Sequence, residues 1–377
     1  MRVLYFYRDD TVHDRRFMDA LGNQPVDVIA LRLENRVKIM DSWKPPGNVS
    51  LISWSRTEKP FRWSYLSLFM KEMKRLTRDN NPDVIHAGPV DLCGYLAARS
   101  GFKPLVAMSW GYDLLVNAEK KFFSRNRIRY TLDRTAILIG DCAAVSDKAS
   151  RYGFPAERII TFPWGVDLNT FRPGSGEKVR KGLGWADKII LLSTRSMEKL
   201  YGCDVLVEAF IDAANRDDRL CLLMLGNGSQ KNHLMQKVTS AGKNDRVKFI
   251  GSIPETEITQ YFQASDIYIS ASHSDGSSVS LLQAMACGVA PLVSDIPGNR
   301  EWVIPDHNGW LFEDGNSTAL SALMCQTARS PQLRSQYGKT ARLIVQKRAD
   351  WEVNSRKLGD AYKQAMNYQL GLVEKSC

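Results

Sequence analysis

The chain has 377 residues, of which 44% are apolar and 24% are charged, and its formal net charge is +10. This length and composition predict two domains with large cores, which excludes a disordered or fibrous protein. The positive charge favours anionic partners, but nucleic acid is not expected, because no helix-turn-helix, RNP or zinc-finger pattern accompanies the charge.

Short apolar runs of strand length alternate with longer segments of helical period along the chain. In order, the predicted strands are VLYFY, VDVIAL, DVIHAG, PLVAMSW, CAAVS and RIITFPW, followed by IILLSTR, LCLLMLG, VKFIG, DIYISAS and APLVSD. A repeated strand-then-helix order predicts α/β domains with parallel sheets that are covered on both faces.

A stretch rich in Gly, Pro and Lys, over 163–188, is expected to separate two Rossmann-like sheets. We therefore predict one domain over 1–165 and a second over 166–351. The C-terminal helix, over about 352–377, is long enough to pack back on the first domain. Ligands of such sheets bind beyond the carboxyl ends of the strands, so the loops after the strands are the candidate sites.

Two stretches combine cations with aromatic residues: FRWSYLSLFMKEMKRLTR at 61–78 and KKFFSRNRIRYTLDR at 120–134. Each pattern is consistent with an ordinary solvated helix face. It is equally consistent with a surface that attracts phosphate or anionic lipid. Peripheral contact with the inner face of a membrane is therefore one expectation for the first domain.

The seven cysteines are scattered, odd in number and never spaced as CxxC. This spacing predicts neither a zinc site nor a disulfide framework, and it favours a reducing cytoplasm. The N-terminal MRVLYFYRDD meets acidic residues at once, unlike a signal peptide, and no apolar run approaches the ~18 residues of a membrane span.

Three loops after predicted strands of the second domain carry polar chemistry. TRSMEK delivers Arg195 and Lys199 to the strand edge, LGNGS contributes Gly226 and Gly228, and SDGSS precedes a short apolar helix. The first N–H groups of a helix lack intrahelical partners and lie at the positive end of its dipole, so with nearby cations they suit a diphosphate. Taken singly, these features are also explained by solvated cations, a tight turn, or a helix N-cap formed by Asp275 or a serine.

The same glycines make a poor dinucleotide fingerprint. In LGNGSQK the third glycine position holds Lys231, and no glycine follows VLYFY in RDDTVHDRR. A nicotinamide- or flavin-dependent dehydrogenase is therefore not expected.

Together with NGWLF at 308–312, TFPWGVDLNTFRP and CAAVSDKASRYGFPAERI, these loops resemble the retaining glycosyltransferases of family GT4. The resemblance covers most of the second half. It implies the GT-B fold, in which two Rossmann-like α/β domains with parallel sheets face each other across a cleft, the first binding the acceptor and the second the donor. It also implies sugar transfer from a nucleoside diphosphate donor, with UDP-sugar favoured over GDP-sugar, to a hydroxyl of a glycan or lipid-linked acceptor. Such a reaction belongs to polysaccharide biosynthesis and needs no metal or other cofactor.

The resemblance assigns roles in the second domain. In the family motif E-x7-E, Asp275 occupies the first position, which contacts the donor sugar, and Gln283 occupies the second, which contacts the ribose. Arg195 matches the diphosphate-binding arginine. An apparent one-residue insertion leaves the family lysine position to either Lys199 or Tyr201, and charge favours Lys199. The remaining donor-binding residues implied by the resemblance are Gly226, Gly228, Gly276, Ser277, Ser278 and Val279.

The first domain matches the family more loosely, through PDVIHAG and SWGYDLL. Asp113 lies in register and His86 matches a frequent family position, so both are candidate catalytic residues. An isolated histidine is more often a packed residue at a strand end. Trp110 replaces a family histidine, and the family's N-terminal glycine-rich loop is absent.

Two other functions stay open at this stage. A nucleotide-sugar 2-epimerase can use the same architecture, with acid and base residues around the sugar and no acceptor site. A sugar-nucleotide-binding protein that has lost turnover would account for Gln283 and Trp110.

Overall fold

The computed structural model describes residues 1–36, 43–120 and 122–371. Contacts divide the chain into two compact units: unit 1 is Met1–Pro163 with Glu352–Cys377, and unit 2 is Trp164–Trp351. Three parts of the predicted segments lie outside the described residues: 37–42 of the first domain, Lys121 of the second basic stretch, and 372–377 at the C-terminus.

Each unit contains one sheet, and all paired strands in both sheets are parallel. The strands of unit 1 are β1 (Arg2–Tyr7), β2 (Asp27–Arg32), β3 (Val49–Ile52), β4 (Val84–Gly88), β5 (Leu105–Met108), β6 (Ile137–Gly140) and β7 (Ile159–Thr161). The strands of unit 2 are β8 (Ile189–Ser193), β9 (Leu220–Leu225), β10 (Val247–Gly251), β11 (Ile267–Ser270), β12 (Ala290–Ser294) and β13 (Trp310–Phe312).

The α-helices connect these strands in chain order. They are α1 (Val12–Gly22), α2 (Leu66–Asn80), α3 (Tyr95–Ser100), α4 (Ala118–Lys120), α5 (Phe122–Leu132), α6 (Ala143–Arg151), α7 (Glu177–Leu183), α8 (Cys203–Arg216), α9 (Lys231–Ser240), α10 (Glu255–Gln263), α11 (Val279–Ala286), α12 (Pro297–Arg300), α13 (Ser317–Ala328), α14 (Pro331–Arg348), α15 (Trp351–Asn354) and α16 (Lys357–Gln369). Short 3-10 turns and π-helical turns add to them, including a 3-10 turn at Lys199–Tyr201.

The two sheets share one topology. The strand order is β3-β2-β1-β4-β5-β6-β7 in unit 1 and β10-β9-β8-β11-β12-β13 in unit 2. In both sheets the order reverses once, between β1 and β4 and between β8 and β11. Ligands of doubly wound sheets bind at this switch point, beyond the carboxyl ends of the strands. The prediction of α/β domains built on parallel sheets is confirmed.

Strand β8 shows how the sheet of unit 2 is buried on both faces. All five residues of IILLS are buried. Ile189 and Leu191 belong to one apolar cluster, whereas Ile190 and Leu192 belong to a second cluster on the opposite face. Burying such a side chain stabilises the fold by about 1.5–3 kcal/mol. This double burial explains why the strand reads as an unbroken apolar run instead of an alternating one.

One predicted strand is wrong. CAAVS, at 142–146, begins helix α6, whose N-cap position is Cys142, and the strand is the preceding ILIG of β6. Val145 and Ala149 are the buried residues of α6, and their spacing of four is helical instead of alternating. The edge strands β3 and β13 were not among the predicted strands.

The C-terminal helix α16 packs against β4, β5 and β6 of unit 1. Its buried residues include Leu358, Ala361 and Tyr362, at helical spacing. At its far end, Arg158 Nη1 donates to the hydroxyl of Tyr368 over 2.9 Å. The last helix is therefore part of the core of unit 1.

Candidate active site

The two central strands of unit 2, β8 and β11, end at the topological switch point, and each is followed by a charged residue. Arg195 comes two residues after β8, and Asp275 lies in the loop between β11 and α11. Arg195 Nη2 lies 2.7 Å from Asp275 Oδ2, and the two side chains are only 11% and 19% exposed. The topology thus brings together two predicted site residues that are 80 positions apart in the sequence.

Arg195 is held on several sides. Its Nη1 donates to Ser278 Oγ over 2.9 Å and to Ser280 Oγ over 3.1 Å. Ser280 Oγ also lies 2.8 Å from the hydroxyl of Tyr268, which is buried in β11. The guanidinium carbon stacks 4.1 Å from the ring centroid of Tyr201. This shell orients the cation at the start of α11.

The pair is electrostatically coupled. Burial, the largest single effect, lowers the pKa of Arg195, but the carboxylate of Asp275 together with Tyr268, Tyr201 and Cys203 outweighs it, so the pKa lies above its ordinary value. Burial raises the pKa of Asp275, and the guanidinium opposes that rise. Arg195 is therefore a permanent cation at neutral pH, placed where solvent screening is weak.

Several polar atoms at the end of β8 lack a hydrogen-bond partner among the residues that the structure describes. They are Ser193 Oγ, Thr194 Oγ1 and Arg195 Nε, all of them buried. Buried polar groups in native proteins are nearly always paired, so a cluster without partners calls for an explanation. A polar ligand at this strand edge would supply the missing partners.

Helix α11 begins beside Arg195. Ser278 is its N-cap, and Ser278 Oγ accepts a hydrogen bond from the N–H of Leu281 over 3.4 Å. The N–H groups of Val279 and Ser280 precede the first intrahelical bonds and remain at the positive end of the helix. The serine N-cap considered from the sequence is confirmed, and the cation lies directly against it.

Helix α12 and the residues after it pack against the loop before α11. A Cβ atom on Gly298 would lie 2.5 Å from the carbonyl oxygen of Gly276 and 2.6 Å from that of Asp275. Trp302 Nε1 donates to Ser277 Oγ over 3.4 Å. The backbone over 275–278 is therefore supported by α12 and the residues after it.

Gln283 lies on α11, eight positions after Asp275, and is partly buried. The described residues provide no hydrogen-bond partner for its amide, which leaves that group available to a ligand. Its role in ribose binding stays a prediction.

The glycine loop has a structural explanation. A Cβ atom on Gly228 would lie 2.5 Å from the carbonyl oxygen of Met197, and Gly226 has φ of +99°. Backbone hydrogen bonds join the two loops, from Met197 N–H to the Asn227 carbonyl and from Gln230 N–H to the Met197 carbonyl. Close contact between backbones therefore accounts for both glycines without a nucleotide, and their role in donor binding stays a prediction.

The structure distinguishes Lys199 from Tyr201. Both belong to the 3-10 turn, but Lys199 is exposed and the ring of Tyr201 contacts Arg195. The turn is anchored where the His273 N–H donates to the Leu200 carbonyl over 2.9 Å. In this geometry the aromatic residue, and not the lysine that charge favoured, is the neighbour of the candidate diphosphate-binding arginine.

His86 is a packed residue of unit 1. It is fully buried in β4, its Nδ1 lies 2.8 Å from the hydroxyl of Tyr362, and the edge of Tyr5 contacts its ring. Burial lowers the pKa of His86 to about 3. Its Nε2 is buried and has no hydrogen-bond partner among the described residues. The packing of His86 explains its position without a substrate, and its catalytic role stays a prediction.

The buried carboxylate of Asp113 accepts hydrogen bonds from two loops of unit 1. Its carboxylate accepts hydrogen bonds from the N–H of Val90 at 2.7 Å, from Ser109 Oγ at 2.7 Å, and from the N–H groups of Trp110 and Leu114 at 3.1 Å each. Burial, followed by the nearby Asp91, raises the pKa of Asp113 to about 7, and the hydrogen bonds oppose this rise. Asp113 joins the loops after β4 and β5, and its catalytic role stays a prediction.

Three polar residues of the site were not identified from the sequence: Ser193, Tyr268 and Ser280. Tyr268 is a polar aromatic residue between the two isoleucines of β11, and that contrast was the available signal. Ser280 sits two positions after the N-cap, where a serine has no special meaning until Arg195 is placed beside it.

Two protein-family models match the chain. The model described as glycosyl transferases group 1 matches residues 176–344, and the model described as glycosyl transferase 4-like matches residues 2–141. Together they cover parts of both units.

Curated relatives carry related names. An uncharacterised glycosyltransferase of Methanocaldococcus jannaschii is 24% identical over 290 residues, which is 73% of this chain and 72% of the relative. A D-inositol 3-phosphate glycosyltransferase of Saccharomonospora viridis is 27% identical over 225 residues, which is 57% of this chain and 52% of the relative. The match therefore spans only about half of the length of the second relative.

Solved structures share the fold. HepE of Anabaena in complex with UDP-glucose has a TM-score of 0.80 at 17% identity, with 96% of this chain and 99% of that one covered. Sucrose-phosphate synthase of Thermosynechococcus elongatus has a TM-score of 0.80 at 18% identity, with 97% and 99% covered. Over the described residues, none of the helices combines the length and apolar character needed to cross a bilayer.

Proposed function

Because the chain belongs to the group 1 glycosyltransferases and has their GT-B fold, we propose that it transfers a sugar from a nucleoside diphosphate to a hydroxyl acceptor with retention of the anomeric configuration. One observation carries this proposal: Arg195 is fixed against the N-terminus of α11 at the switch point, beside buried polar atoms without partners. A cation and a helix N-terminus at one strand edge suit a diphosphate.

The donor is proposed to be a UDP-sugar, with a GDP-sugar as the alternative. The complexes of HepE with UDP and with UDP-glucose support a uridine nucleotide. We assign the diphosphate to the backbone over 276–279 and to Arg195, the donor sugar to Asp275, and the ribose to Gln283. Gln283 can donate to and accept from ribose hydroxyls, but it lacks the charge of the family's glutamate.

The proposed chemistry needs stabilisation of negative charge. The bond between the anomeric carbon and the diphosphate oxygen breaks, and a bond from that carbon to the acceptor oxygen forms on the same face. A donor phosphate oxygen takes the proton of the acceptor hydroxyl. Arg195 and the start of α11 stabilise the leaving diphosphate more in the transition state than in the ground state, which lowers the barrier.

We propose that the reaction is independent of metal ions. In the described part of the chain, no group of three or more His, Cys, Asp or Glu side chains lies close enough together to hold a metal ion. Arg195 and the helix N-terminus supply positive charge at the position where a magnesium ion would otherwise act. Activity in the presence of excess EDTA tests this part of the proposal, and restoration by added Mg²⁺ would contradict it.

A thermal-shift screen of UDP-, GDP- and ADP-sugars tests the donor class. A ligand at 100 times its dissociation constant adds about 2.7 kcal/mol to the stability of the native state. The stabilising donor is then incubated with acceptor pools, and the anomeric configuration of the product is read by NMR. Conversion of the donor without an acceptor would indicate an epimerase, and binding without transfer or hydrolysis would indicate a protein that has lost turnover.

We further propose a glycan or lipid-linked acceptor in polysaccharide biosynthesis, with peripheral association on the cytoplasmic face of a membrane. The support is a pair of exposed aromatic residues at the start of α5, Phe122 and Phe123, which are 69% and 76% exposed. Exposed aromatic rings beside cations suit an interfacial surface.

Liposome flotation tests this association. Wild type is expected to float with anionic vesicles more than with neutral ones, and the double variant Phe122→Ser, Phe123→Ser is expected to lose most of that recovery. Leu343→Ser in unit 2 is the matched control, since Leu343 is 66% exposed. Equal recovery of wild type and the double variant would contradict the proposal.

A further inference from the structure

A polar cavity of about 200 Å³ lies in unit 1, at the carboxyl ends of its strands. Arg8 follows β1, Glu34 and Arg36 follow β2, Asp91 follows β4, and Arg127 on α5 completes the wall. None of these residues belongs to the motifs that identify the family. Their chemistry indicates what the cavity binds.

Glu34 is the buried centre of the cavity wall. It is fully buried, and its carboxylate accepts from Arg8 Nε at 2.7 Å, from Arg36 Nε at 2.9 Å and from the Phe61 N–H at 2.6 Å. One carboxylate thus serves two guanidinium groups, which leaves one positive charge in excess. Each guanidinium has five N–H donors and contacts Glu34 through Nε alone. Arg8 also hydrogen-bonds the side chain of Tyr112, which lines the same cavity, and further donors of the two guanidinium groups remain for a ligand.

Arg127 forms the opposite wall with neutral partners. Its Nε donates to the Asp91 carbonyl and its Nη2 to Ser124 Oγ, both over 3.0 Å. Its guanidinium carbon lies 4.6 Å from the ring centroid of Trp63. Across residues 1–36, 43–120 and 122–371, no carboxylate forms an ion pair with Arg127.

The second acid of the cavity does not neutralise Arg127. The carboxylate of Asp91 accepts from Asn117 Nδ2 over 3.0 Å, and only the backbone carbonyl of Asp91 contacts the arginine. Three guanidinium groups and two carboxylates leave a charge of +1 in a confined polar space. A cation would be repelled there, whereas a planar or tetrahedral anion matches the guanidinium forks.

We propose that this cavity binds an anionic group, a phosphate or a carboxylate, that is carried by the acceptor substrate. The inference rests on the proposed transferase function, which it extends to an acceptor class: a phosphorylated or acidic sugar, polyol or lipid head group. The exposed ring of Trp63 offers an apolar face next to the charge, on which the carbon skeleton of the acceptor can pack.

Calorimetric titration with inorganic phosphate and with malonate, at low ionic strength, tests the cavity with and without saturating UDP. Wild type is expected to bind at least one of these two anions whether UDP is present or not. Arg127→Gln and Arg36→Gln are each expected to weaken that binding at least tenfold and to leave UDP affinity within twofold. Binding of phosphate alone would indicate a phosphorylated acceptor, and binding of malonate alone an acidic one.

Arg78→Gln is the matched control, because Arg78 lies on α2 of the same unit, is 78% exposed and does not line the cavity. Its anion affinity should equal that of wild type, and thermal melting confirms that all variants are folded. Arg127→Lys keeps the positive charge but loses the planar set of guanidinium donors. Its anion affinity should therefore lie between those of wild type and Arg127→Gln.

The inference is overturned if folded wild type binds neither anion, or if both glutamine variants bind as wild type does. The UDP titration separates this result from failure of the proposed function. Anion binding that disappears in the variants, in a protein with no affinity for any nucleotide sugar, would leave the cavity assignment standing and refute the donor proposal.

Discussion

The central strands of the two units share one topology but carry different residues at and near their carboxyl ends. In unit 2, the loops after β8 and β11 present an ion pair, a helix N-terminus and polar atoms without partners. In unit 1, the middle residue of β4 is His86, which is buried under Tyr362 of the C-terminal helix. Tyr5 of the neighbouring strand β1 donates to the buried Asp14 over 3.1 Å.

The difference shows that strand order alone does not define a binding site. α16 packs on the sheet of unit 1 and covers His86 within β4, whereas the polar cavity lies beyond the strand ends, where Arg8 follows β1 and Asp91 follows β4. A cluster of hydrogen-bonding groups without partners, or charge in excess, indicates where a ligand can bind, whereas His86 Nε2 is a single buried nitrogen without a partner. Four predictions test this contrast, in order of decreasing effect.

The largest expected effect is that of Arg195→Ala. We expect kcat to fall by about 10²–10³-fold, which corresponds to about 2.7–4 kcal/mol of barrier, with a much smaller change in donor affinity. Arg195→Lys should recover part of the rate, because it keeps the charge but loses the fork. Steady-state kinetics with the donor found by the thermal-shift screen give kcat and the apparent affinity for the donor.

Arg219→Ala is the control for Arg195, since Arg219 belongs to the same unit and its ion pair with Asp217 lies at the amino end of β9. Its kcat should match wild type. If Arg195→Ala changed donor affinity alone, the switch point of unit 2 would be a binding site without a role in the transition state.

The second prediction concerns pH and the buried His86 of unit 1. The unfolded chain protonates His86 below pH 6.5, but the folded protein keeps it neutral until about pH 3. The stability that comes from the neutral imidazole is therefore lost as the pH falls from 6.5 towards 3. Between pH 7.5 and pH 5, wild type should lose about 2 kcal/mol more unfolding free energy than His86→Gln.

Urea unfolding at both pH values measures this difference, and His307→Gln is the control histidine, because His307 is exposed. A parallel pH dependence of wild type and His86→Gln would show that the imidazole is accessible to protons. In that case the contrast between buried His86 and the candidate site of unit 2 would be weaker than the structure indicates.

The third prediction distinguishes Tyr201 from Lys199. Tyr201→Leu removes the ring that contacts Arg195, and we expect a loss of roughly three- to tenfold in kcat, since a cation–π contact contributes about 0.5–2 kcal/mol. Tyr201→Phe should retain most of the activity. Lys199→Ala should change kcat by less than about twofold, and a larger loss would restore the lysine to the diphosphate site.

The smallest expected effect is that of Gln283→Glu. The substitution restores the family's acid, and we expect UDP affinity to be preserved or tightened, because a carboxylate accepts from two ribose hydroxyls. Calorimetric titration measures the UDP affinity. Gln283→Leu is the comparison variant, because it removes both the hydrogen-bond donor and the acceptor of the side chain. A large loss in Gln283→Glu would show that the amide donates a hydrogen bond that no carboxylate can replace.

Much of the fold was predictable, because strands buried on both faces of a parallel sheet leave unbroken apolar runs such as IILLS and LCLLML. The edge strands β3 and β13 were missed, since VSLI and WLF are short and WLF belongs to the NGWLF motif. CAAVS was assigned to a strand because four apolar residues in five do not distinguish a helix start from a strand.

Prediction of the site was uneven for a related reason. The sequence was sufficient to predict Arg195, Asp275 and the start of α11 as site elements, since each follows a recognisable strand or begins a recognisable helix. The cluster of Glu34, Arg8 and Arg36 was not, because charges scattered over three loops carry no pattern until the loops meet.

The sequence by itself determined the alternation of strands and helices, the parallel sheets and the loops that end at the switch point of unit 2, because local periodicity and burial set these features. Only the tertiary structure decided that Tyr201 and not Lys199 lies against Arg195, that His86 is sealed by Tyr362, and that three arginines share one cavity. The physical reason is that burial, the pKa of a group and excess charge depend on groups that are distant in the sequence and adjacent only after folding.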